Sequence, residues 1–220
     1  MTKKKVFIEC GAADGVSQSE TIGYNMNEWK GILIEARPGD DGYRGCLKSR
    51  PNCTSVNVCL VSDEYVGESI EFRDLGLLGV PAEKRLVHER YEEMAKTGRY
   101  KDWAGPGKGY NIIKVPAKTL TAVLEDLGET EIDFFSLDVE GFELEVLKGI
   151  DVNKVTIKEI SVECHEDVQQ GGRQGQWQPE ENDACSYKEI EEWMHANGYK
   201  LSRKTRHGWP PKYLFKLAGE

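Results

Sequence analysis

The chain has 220 residues, 30% of them charged, and a formal net charge of -9. This length suits one α/β domain, and the acidic balance argues against a broad grip on nucleic-acid phosphates, which needs basic surface. The sequence contains no apolar run long enough to cross a membrane, and its first residues lack the apolar stretch of a signal peptide. We therefore expect a cytoplasmic protein with neither a nucleic-acid nor a membrane partner.

Apolar runs of strand length recur along the chain, and most are continuous, as in strands covered by helices on both faces. They span residues 6–8, 31–34, 56–61, 132–137, 157–162 and 213–217. Helices are predicted over residues 19–29, 120–127, 142–148 and 187–197, with Thr119 as the N-cap of the second and Gly128 as its stop. This alternation predicts a mostly parallel sheet with right-handed crossovers.

One region, about residues 63–115, breaks the alternation. Residues 69–73 have the pattern of a short extra strand, and residues 103–110 are rich in glycine and proline. A long irregular insert is usually functional, so we assign it to substrate recognition or a lid within a single domain spanning residues 1–220. Its aromatic residues would either stack on a flat substrate or pin the insert to the domain; they are Tyr91, Tyr100, Trp103 and Tyr110.

The cysteines are scattered and show no C-x-x-C spacing, which argues against a structural zinc site. Several lie inside apolar strand runs. They are therefore predicted to be buried small side chains in a reducing compartment.

The first strand runs directly into a turn of small residues, Glu9-Cys10-Gly11-Ala12-Ala13-Asp14-Gly15. Such a turn lets the backbone approach a ligand, and a following helix would point its N-terminus at that ligand. The third glycine is misplaced for a dinucleotide pyrophosphate. Glu9 suits a cationic ligand such as S-adenosylmethionine (SAM), which carries a sulfonium and an ammonium. The alternative is a glycine-rich turn that binds nothing.

The ends of the second and third strands supply further candidate ligand contacts. Glu35, followed by Ala36, ends the second strand, where a carboxylate can accept both ribose hydroxyls of a nucleoside. This position fits SAM and NAD equally. Cys59, Leu60 and Ser62, at the end of the third strand, would line an adenine slot or belong to a plain core strand.

Acidic residues follow the next two strands at the same edge of the predicted sheet. Asp138 and Glu140 could orient a substrate hydroxyl, act as a base or hold a divalent cation such as Mg²⁺. Glu163 and His165 end the following strand on one face near Asp138, as general base or metal ligands. Glu143 is interpreted as an acid at a helix start, where it favours the dipole.

Three segments resemble the FkbM-type methyltransferases, a family of SAM-dependent O-methyltransferases. They are residues 7–15, 29–35 and 132–149, the last containing Leu137-Asp138-Val139-Glu140-Gly141-Phe142-Glu143. The resemblance covers residues 6 to about 166. It implies a Rossmann-like class I methyltransferase fold, a seven-stranded sheet whose last strand, near residues 213–217, is antiparallel. It also implies methyl transfer to a hydroxyl, often on a sugar or a polyketide.

Carried over by position, the resemblance places Glu9, Gly11, Ala13 and Gly15 around the methionine part of SAM and Glu35 at the ribose. Asp138 then faces the path of the methyl group. The alternatives are an NAD-dependent oxidoreductase and a non-catalytic SAM-binding module. The expected acceptor is a hydroxyl of a small molecule or glycan. The expected catalytic residues, which are also candidate metal ligands, are Asp138, Glu163 and His165; the expected cofactor contacts are Glu9, Gly11, Ala12, Ala13, Asp14, Gly15, Glu35, Ala36, Cys59, Leu60, Ser62 and Asp138.

Overall fold

A computed structural model describes residues 3–74, 79–82, 111–164, 187–205 and 211–219. The strands of these ranges are β1 (Lys5–Cys10), β2 (Trp29–Ile34), β3 (Thr54–Val56), β4 (Cys59–Leu60), β5 (Ser69–Asp74), β6 (Val80–Pro81), β7 (Asn111–Lys118), β8 (Glu131–Ile132), β9 (Phe134–Leu137), β10 (Thr156–Ile157), β11 (Glu159–Glu163), β12 (Tyr199–Lys204) and β13 (Lys212–Leu217). The helices are α1 (Tyr43–Ser49), α2 (Leu120–Leu127), α3 (Glu143–Lys148) and α4 (Tyr187–Ala196).

The main sheet has seven strands in the order β12-β13-β11-β9-β1-β2-β3. Strand β13 runs antiparallel to both β11 and β12, whereas the pairs from β11 through β9, β1 and β2 to β3 are parallel. The predicted α/β class, with its antiparallel strand over residues 213–217, is confirmed. Two smaller sheets, β4-β7-β5-β6 and β10-β8, were not predicted.

Each face of the main sheet carries its own apolar cluster. On one face Ile8, Phe135, Ile160 and Phe215 are register neighbours across four strands, and all are fully buried. Burial of each such side chain stabilises the fold by about 1.5–3 kcal/mol. The same cluster takes in residues of three helices: Leu120, Val123 and Leu124 of α2, Val146 and Leu147 of α3, and Ile190 and Met194 of α4.

The opposite face is covered by α1 and by the segment between β1 and β2. Phe7 and Leu33 pack there with Cys46 of α1. Tyr24 and Trp29 complete the cluster, with ring centroids 4.5 Å apart. Helices therefore lie on both faces of the sheet in the described part of the chain.

Helix α2 matches its predicted bounds because both of its ends carry strong local signals. The Thr119 side chain accepts a hydrogen bond from the Ala122 N–H, and Gly128 ends the helix in the left-handed conformation with φ +68°. The predicted extra strand over residues 69–73 is also confirmed, as β5.

The prediction of a helix over residues 19–29 is wrong. Turns fill the segment between β1 and β2, so no helix N-terminus follows the first motif. The side chains of Ser19 and Thr21 donate hydrogen bonds to Glu9, and Gly23 and Asn25 are poor helix formers. These tertiary hydrogen bonds replace the backbone pattern of a helix.

The third predicted strand, residues 56–61, divides into two elements in different sheets. Strand β3 pairs with β2 and ends at Val56, whereas β4 pairs with β7. Between them the Asn57 amide donates hydrogen bonds to the carbonyl oxygens of Glu35 and Ala36, at 2.8 and 2.9 Å. This polar side chain binds the end of β2, and the chain leaves the main sheet there.

The interior holds cysteines as thiols. Cys10, Cys59 and Cys164, the cysteines of the strand runs, are buried as predicted; Cys46 of α1 is also buried, and Cys53 is half-buried. Cys185 lies outside the described residues. Within the described ranges, none of the helices combines the length and the apolar character needed to span a bilayer.

Candidate functional site

A cleft opens at the carboxyl ends of β1, β2 and β9, the edge where ligands bind in parallel α/β sheets. Its volume is about 780 Å³, counted with its open mouth. The end of β1 supplies Gly11 and Ala13, the end of β2 supplies Glu35, and the end of β9 supplies Asp138. Together these residues form a single continuous wall.

The ends of β1 and β9 meet at Gly11. A Cβ on Gly11 would lie 1.7 Å from the backbone carbonyl oxygen of Asp138, and φ at Gly11 is +77°. Only glycine allows both this backbone conformation and this contact. Gly11 therefore sets the position of Asp138, a role that the sequence motif did not reveal.

Glu35 joins the first and second motifs. Its carboxylate accepts hydrogen bonds from the backbone N–H groups of Ala13 and Arg37, at 2.8 and 2.9 Å. Burial raises the Glu35 pKa to about 7, against the lowering effect of these bonds. Each carboxylate oxygen has a second lone pair, so the group can also accept the two hydroxyls of a ribose.

Glu9 is buried and is not among the residues that line the cleft. Its carboxylate accepts hydrogen bonds from the Ser19 hydroxyl, the Glu20 N–H and the Thr21 hydroxyl, at 2.7–2.9 Å. The guanidinium of Arg50 lies 3.6 Å away. The charge of Glu9 is therefore compensated by protein groups, and Glu9 holds the segment after β1; its predicted contact with the cofactor stays a prediction.

The remaining predicted cofactor contacts divide between the cleft and its supports. The Asp14 carboxylate accepts the N–H groups of Val16 and Ser17 and shapes the turn. A Cβ on Gly15 would meet the Ser49 hydroxyl of α1 at 2.8 Å. The predicted residues that line the cleft are Gly11, Ala13, Glu35, Ala36, Cys59, Leu60 and Asp138; those that do not are Glu9, Ala12, Asp14, Gly15 and Ser62.

A carboxyl cluster lies at the cleft's edge over β9 and β11. It consists of Asp138, Glu140 and Glu163, whose carboxylate oxygens lie within 4.8 Å of one another. Lys212, opposite Glu163 in register, places its Nζ 3.2 Å from Asp138 Oδ2 and 3.4 Å from Glu20 Oε1. His165, predicted to join this group, lies outside the described residues.

The pKa values of Glu163 and of the neighbouring Lys212 are both shifted from their ordinary values. Burial, followed by the hydrogen bond and negative charge of Asp138, strongly raises the Glu163 pKa. Burial lowers the Lys212 pKa, but the attraction of Asp138, Glu20 and Glu163 outweighs it and the net pKa is raised. Both shifts have the same consequence: they favour the protonated carboxyl of Glu163 and the ammonium form of Lys212.

The carboxyl cluster offers oxygen donors of the kind that Mg²⁺ prefers. One of these donors, Asp138 Oδ2, already faces the Lys212 ammonium at 3.2 Å. A divalent cation would compete with this ammonium, so the donor set does not form a ready cage. The expected metal site stays a prediction.

The loop between Asp138 and α3 is held by Glu143. This buried carboxylate accepts the N–H groups of Val139 and Gly141, both at 3.1 Å, and burial raises its pKa. Its second oxygen has no hydrogen-bond partner among the described residues. Within the loop Glu140 has φ +58°, an unusual conformation for a non-glycine residue. Glu143 thus stabilises a strained loop at the cleft, beyond its predicted place at a helix start.

Sequence reasoning missed Lys212 and Glu20. Lys212 precedes the antiparallel strand 213–217, whose start must lie at the same edge as the ends of the parallel strands, so topology could have identified it. Glu20 fell inside the predicted helix, and it instead accepts hydrogen bonds from Ser136 and Ser161 at 3.0 and 3.4 Å.

The cleft at the strand ends therefore combines a glycine-dependent junction with a buried carboxylate at the end of β2. The family model described as "Methyltransferase FkbM domain" matches residues 9–201. The chain belongs to this family of methyltransferases. Membership favours methyl transfer over the oxidoreductase alternative. No curated protein sequence matches the chain.

Several solved structures are similar over nearly the whole chain. A structure described as a pericyclic reaction enzyme is 12% identical with a TM-score of 0.43, covering 98% of this chain and 43% of that one. A structure of LepI in complex with SAM is 13% identical with a TM-score of 0.41, covering 97% and 43%. This chain spans less than half of either. A SAM-dependent methyltransferase from Aquifex aeolicus is 12% identical with a TM-score of 0.34, covering 97% and 81%.

Proposed function

We propose that the chain transfers a methyl group from SAM to a hydroxyl of a small molecule or glycan, with a sugar hydroxyl as the first acceptor to test. The observation that carries this proposal is the position of Asp138. Asp138 lines the cleft and also belongs to the carboxyl cluster. A carboxylate able to accept a proton therefore lies in the wall of the proposed cofactor site.

The residues of the cleft wall fit the parts of SAM. Glu35 accepts the ribose hydroxyls, while the small residues Gly11 and Ala13 leave space for the chain that joins ribose and methionine. When bound, SAM would supply an electrophilic methyl group on a sulfonium centre. As the acceptor oxygen formed its bond to this methyl carbon, the carbon–sulfur bond would break and S-adenosylhomocysteine would leave.

The carboxyl cluster activates the acceptor. A hydroxyl is a weak nucleophile at neutral pH and needs a base held close to it. Asp138 accepts the hydroxyl proton as the oxygen attacks. Protonated Glu163 donates a hydrogen bond to Asp138, and the Lys212 ammonium stabilises the negative charge on Asp138 Oδ2. His165, which lies outside the described residues, is a further candidate for this step.

Calorimetric titration with SAM and S-adenosylhomocysteine, with and without Mg²⁺, is the first experiment. Micromolar binding supports the cofactor assignment, and a folded protein that binds neither ligand overturns it. A Mg²⁺ effect on binding would support a cation at Asp138 and Glu163. A panel of sugar and other hydroxyl acceptors then tests turnover, and binding without transfer would favour the non-catalytic module.

The role of Asp138 is tested by Asp138→Asn. Loss of a general base slows turnover by roughly 10²- to 10⁴-fold, with SAM still bound. Asp126→Asn is the matched control. Asp126 of α2 forms an exposed ion pair with Lys118 of β7, and neither residue lines the cleft. Full turnover of Asp138→Asn would remove Asp138 from the mechanism.

A further inference from the structure

The insert was predicted to serve substrate recognition or to form a lid, and part of it lines the cleft. Phe72 of β5 and Pro81 of β6 line the cleft, together with Gly79, which precedes β6. These strands pair with each other and, through β7, with β4, which supplies Cys59 and Leu60 to the same wall. The insert's sheet is therefore continuous with the cleft wall.

A chain of contacts connects these insert residues to Glu35. The Arg37 N–H donates to Glu35 Oε1 at 2.9 Å. A Cβ on Gly79 would lie 3.1 Å from Cδ of Arg37 and 2.7 Å from the Phe72 ring. Arg37, Gly79 and Phe72 are thus immediate neighbours, and Phe72 lines the same cleft as Glu35, the carboxylate assigned to the ribose.

An ion pair fastens the insert at this point. The Arg37 side chain is only 5% exposed, and its Nε donates to Asp74 Oδ1 of β5 at 2.8 Å. Its other nitrogens contact the Asp41 carboxylate and backbone carbonyl. One guanidinium therefore joins the end of β2 to the insert, next to Phe72.

We propose that the insert forms a wall of the nucleoside pocket, with Phe72 as the surface on which the base packs and the Arg37–Asp74 ion pair as its fastening. This inference rests on the proposed use of SAM. Phe72, Pro81 and Leu60 supply the apolar lining that a flat purine requires, while Glu35 supplies the polar contact to the attached sugar. Gly79 has no side chain, which leaves the ring in place.

Phe72→Ala tests the wall, with S-adenosylhomocysteine and 5′-methylthioadenosine as probes. Because the second probe lacks the amino-acid part, loss of a nucleoside contact must weaken both probes equally. Loss of base–aromatic packing should weaken the binding of both probes by roughly 5- to 150-fold. Ile70→Ala is the matched control, because Ile70 is equally buried in β5 but does not line the cleft.

The outcomes separate this inference from the proposed function. A wild-type protein that binds neither probe contradicts the use of SAM. Wild-type binding with unchanged affinity in Phe72→Ala contradicts the wall alone, as does a loss confined to S-adenosylhomocysteine. If the alanine variant fails to fold, Phe72→Leu replaces it. We then expect a smaller loss of affinity, again equal for the two probes.

Hydrogen exchange of the unmodified protein gives a second test. S-adenosylhomocysteine should slow exchange in residues 69–74 and 80–82 as well as in residues 11–18. Asp74→Asn should reduce this protection in the insert, whereas Glu71→Gln, an exposed change in the same strand, should leave it intact. Protection restricted to residues 11–18 would overturn the proposal.

Discussion

Gly11 and Asp138 approach so closely that a single methyl group on Gly11 would overlap the Asp138 carbonyl oxygen, 1.7 Å away. The two residues end neighbouring strands, β1 and β9, and the Asp138 N–H also donates to the Cys10 carbonyl at 3.2 Å. The junction fixes the proposed base relative to the proposed methionine pocket. Its integrity is therefore a requirement for both cofactor binding and turnover.

Gly11→Ala should disrupt this junction. Steric overlap and the unfavourable φ of +77° together should lower the free energy of unfolding by at least about 2 kcal/mol and weaken S-adenosylhomocysteine binding. Chemical denaturation and calorimetry measure the two effects. Gly23→Ala is the control, because a Cβ there meets nothing within 4 Å. Wild-type behaviour of Gly11→Ala would show that the strand ends can separate at no cost.

Lys212→Met should slow methyl transfer by roughly tenfold or more, because the negative charge of Asp138 loses its ammonium partner. Steady-state kinetics with saturating SAM gives the change in kcat. Lys216→Met is the matched control on the same strand, since Lys216 forms an exposed ion pair with Glu159, and such pairs contribute little. Equal rates for the two variants would exclude Lys212 from the reaction.

Glu143→Ala should destabilise the fold by about 1–3 kcal/mol, because the N–H groups of Val139 and Gly141 lose their acceptor. Glu143→Gln keeps an acceptor oxygen and should retain most of the stability. Unfolding midpoints in urea compare the two variants. If the glutamine variant is as unstable as the alanine variant, a carboxyl group is required and not merely an acceptor.

Because of Glu35, the free energy of unfolding should fall as the pH rises from about 4.5, the ordinary pKa of a glutamate, to about 7, the raised pKa of Glu35 in the fold. Below this window both folded and unfolded chains bind the proton. Within it the unfolded chain releases the proton first, and above it the loss is complete, at most roughly 3 kcal/mol. The difference in unfolding free energy between wild type and Glu35→Gln, followed from pH 4 to pH 8, isolates this effect. A constant difference would contradict it.

The fold was largely predictable because its signals are local. Continuous apolar runs marked the central strands, and Thr119 and Gly128 marked α2. The segment over residues 19–29 was not predictable in this way. Its conformation depends on hydrogen bonds from Ser19 and Thr21 to Glu9, a partner on another element.

The site was predictable only in part for the same reason. Asp138 and Glu35 end apolar strands, so their positions follow from the strand rule, and both line the cleft. Lys212 reaches Asp138 of the carboxyl cluster, and Phe72 reaches the cleft, through pairing between distant strands, which no local pattern records. Glu9 had the expected residue type at the expected place, but Arg50 and neighbouring hydroxyls compensate its charge.

The buried thiol of Cys46 provides a chemical probe of local opening in this protein. Burial raises the Cys46 pKa to about 12, and the Cys46 thiol donates to the Ala13 carbonyl at 3.0 Å, against the first motif. Alkylating reagents attack thiolates that solvent can reach, and folded Cys46 offers neither property. Modification of Cys46 therefore requires an opening that exposes the thiol, and the rate of alkylation with and without a nucleoside reports how far the ligand stabilises the closed form.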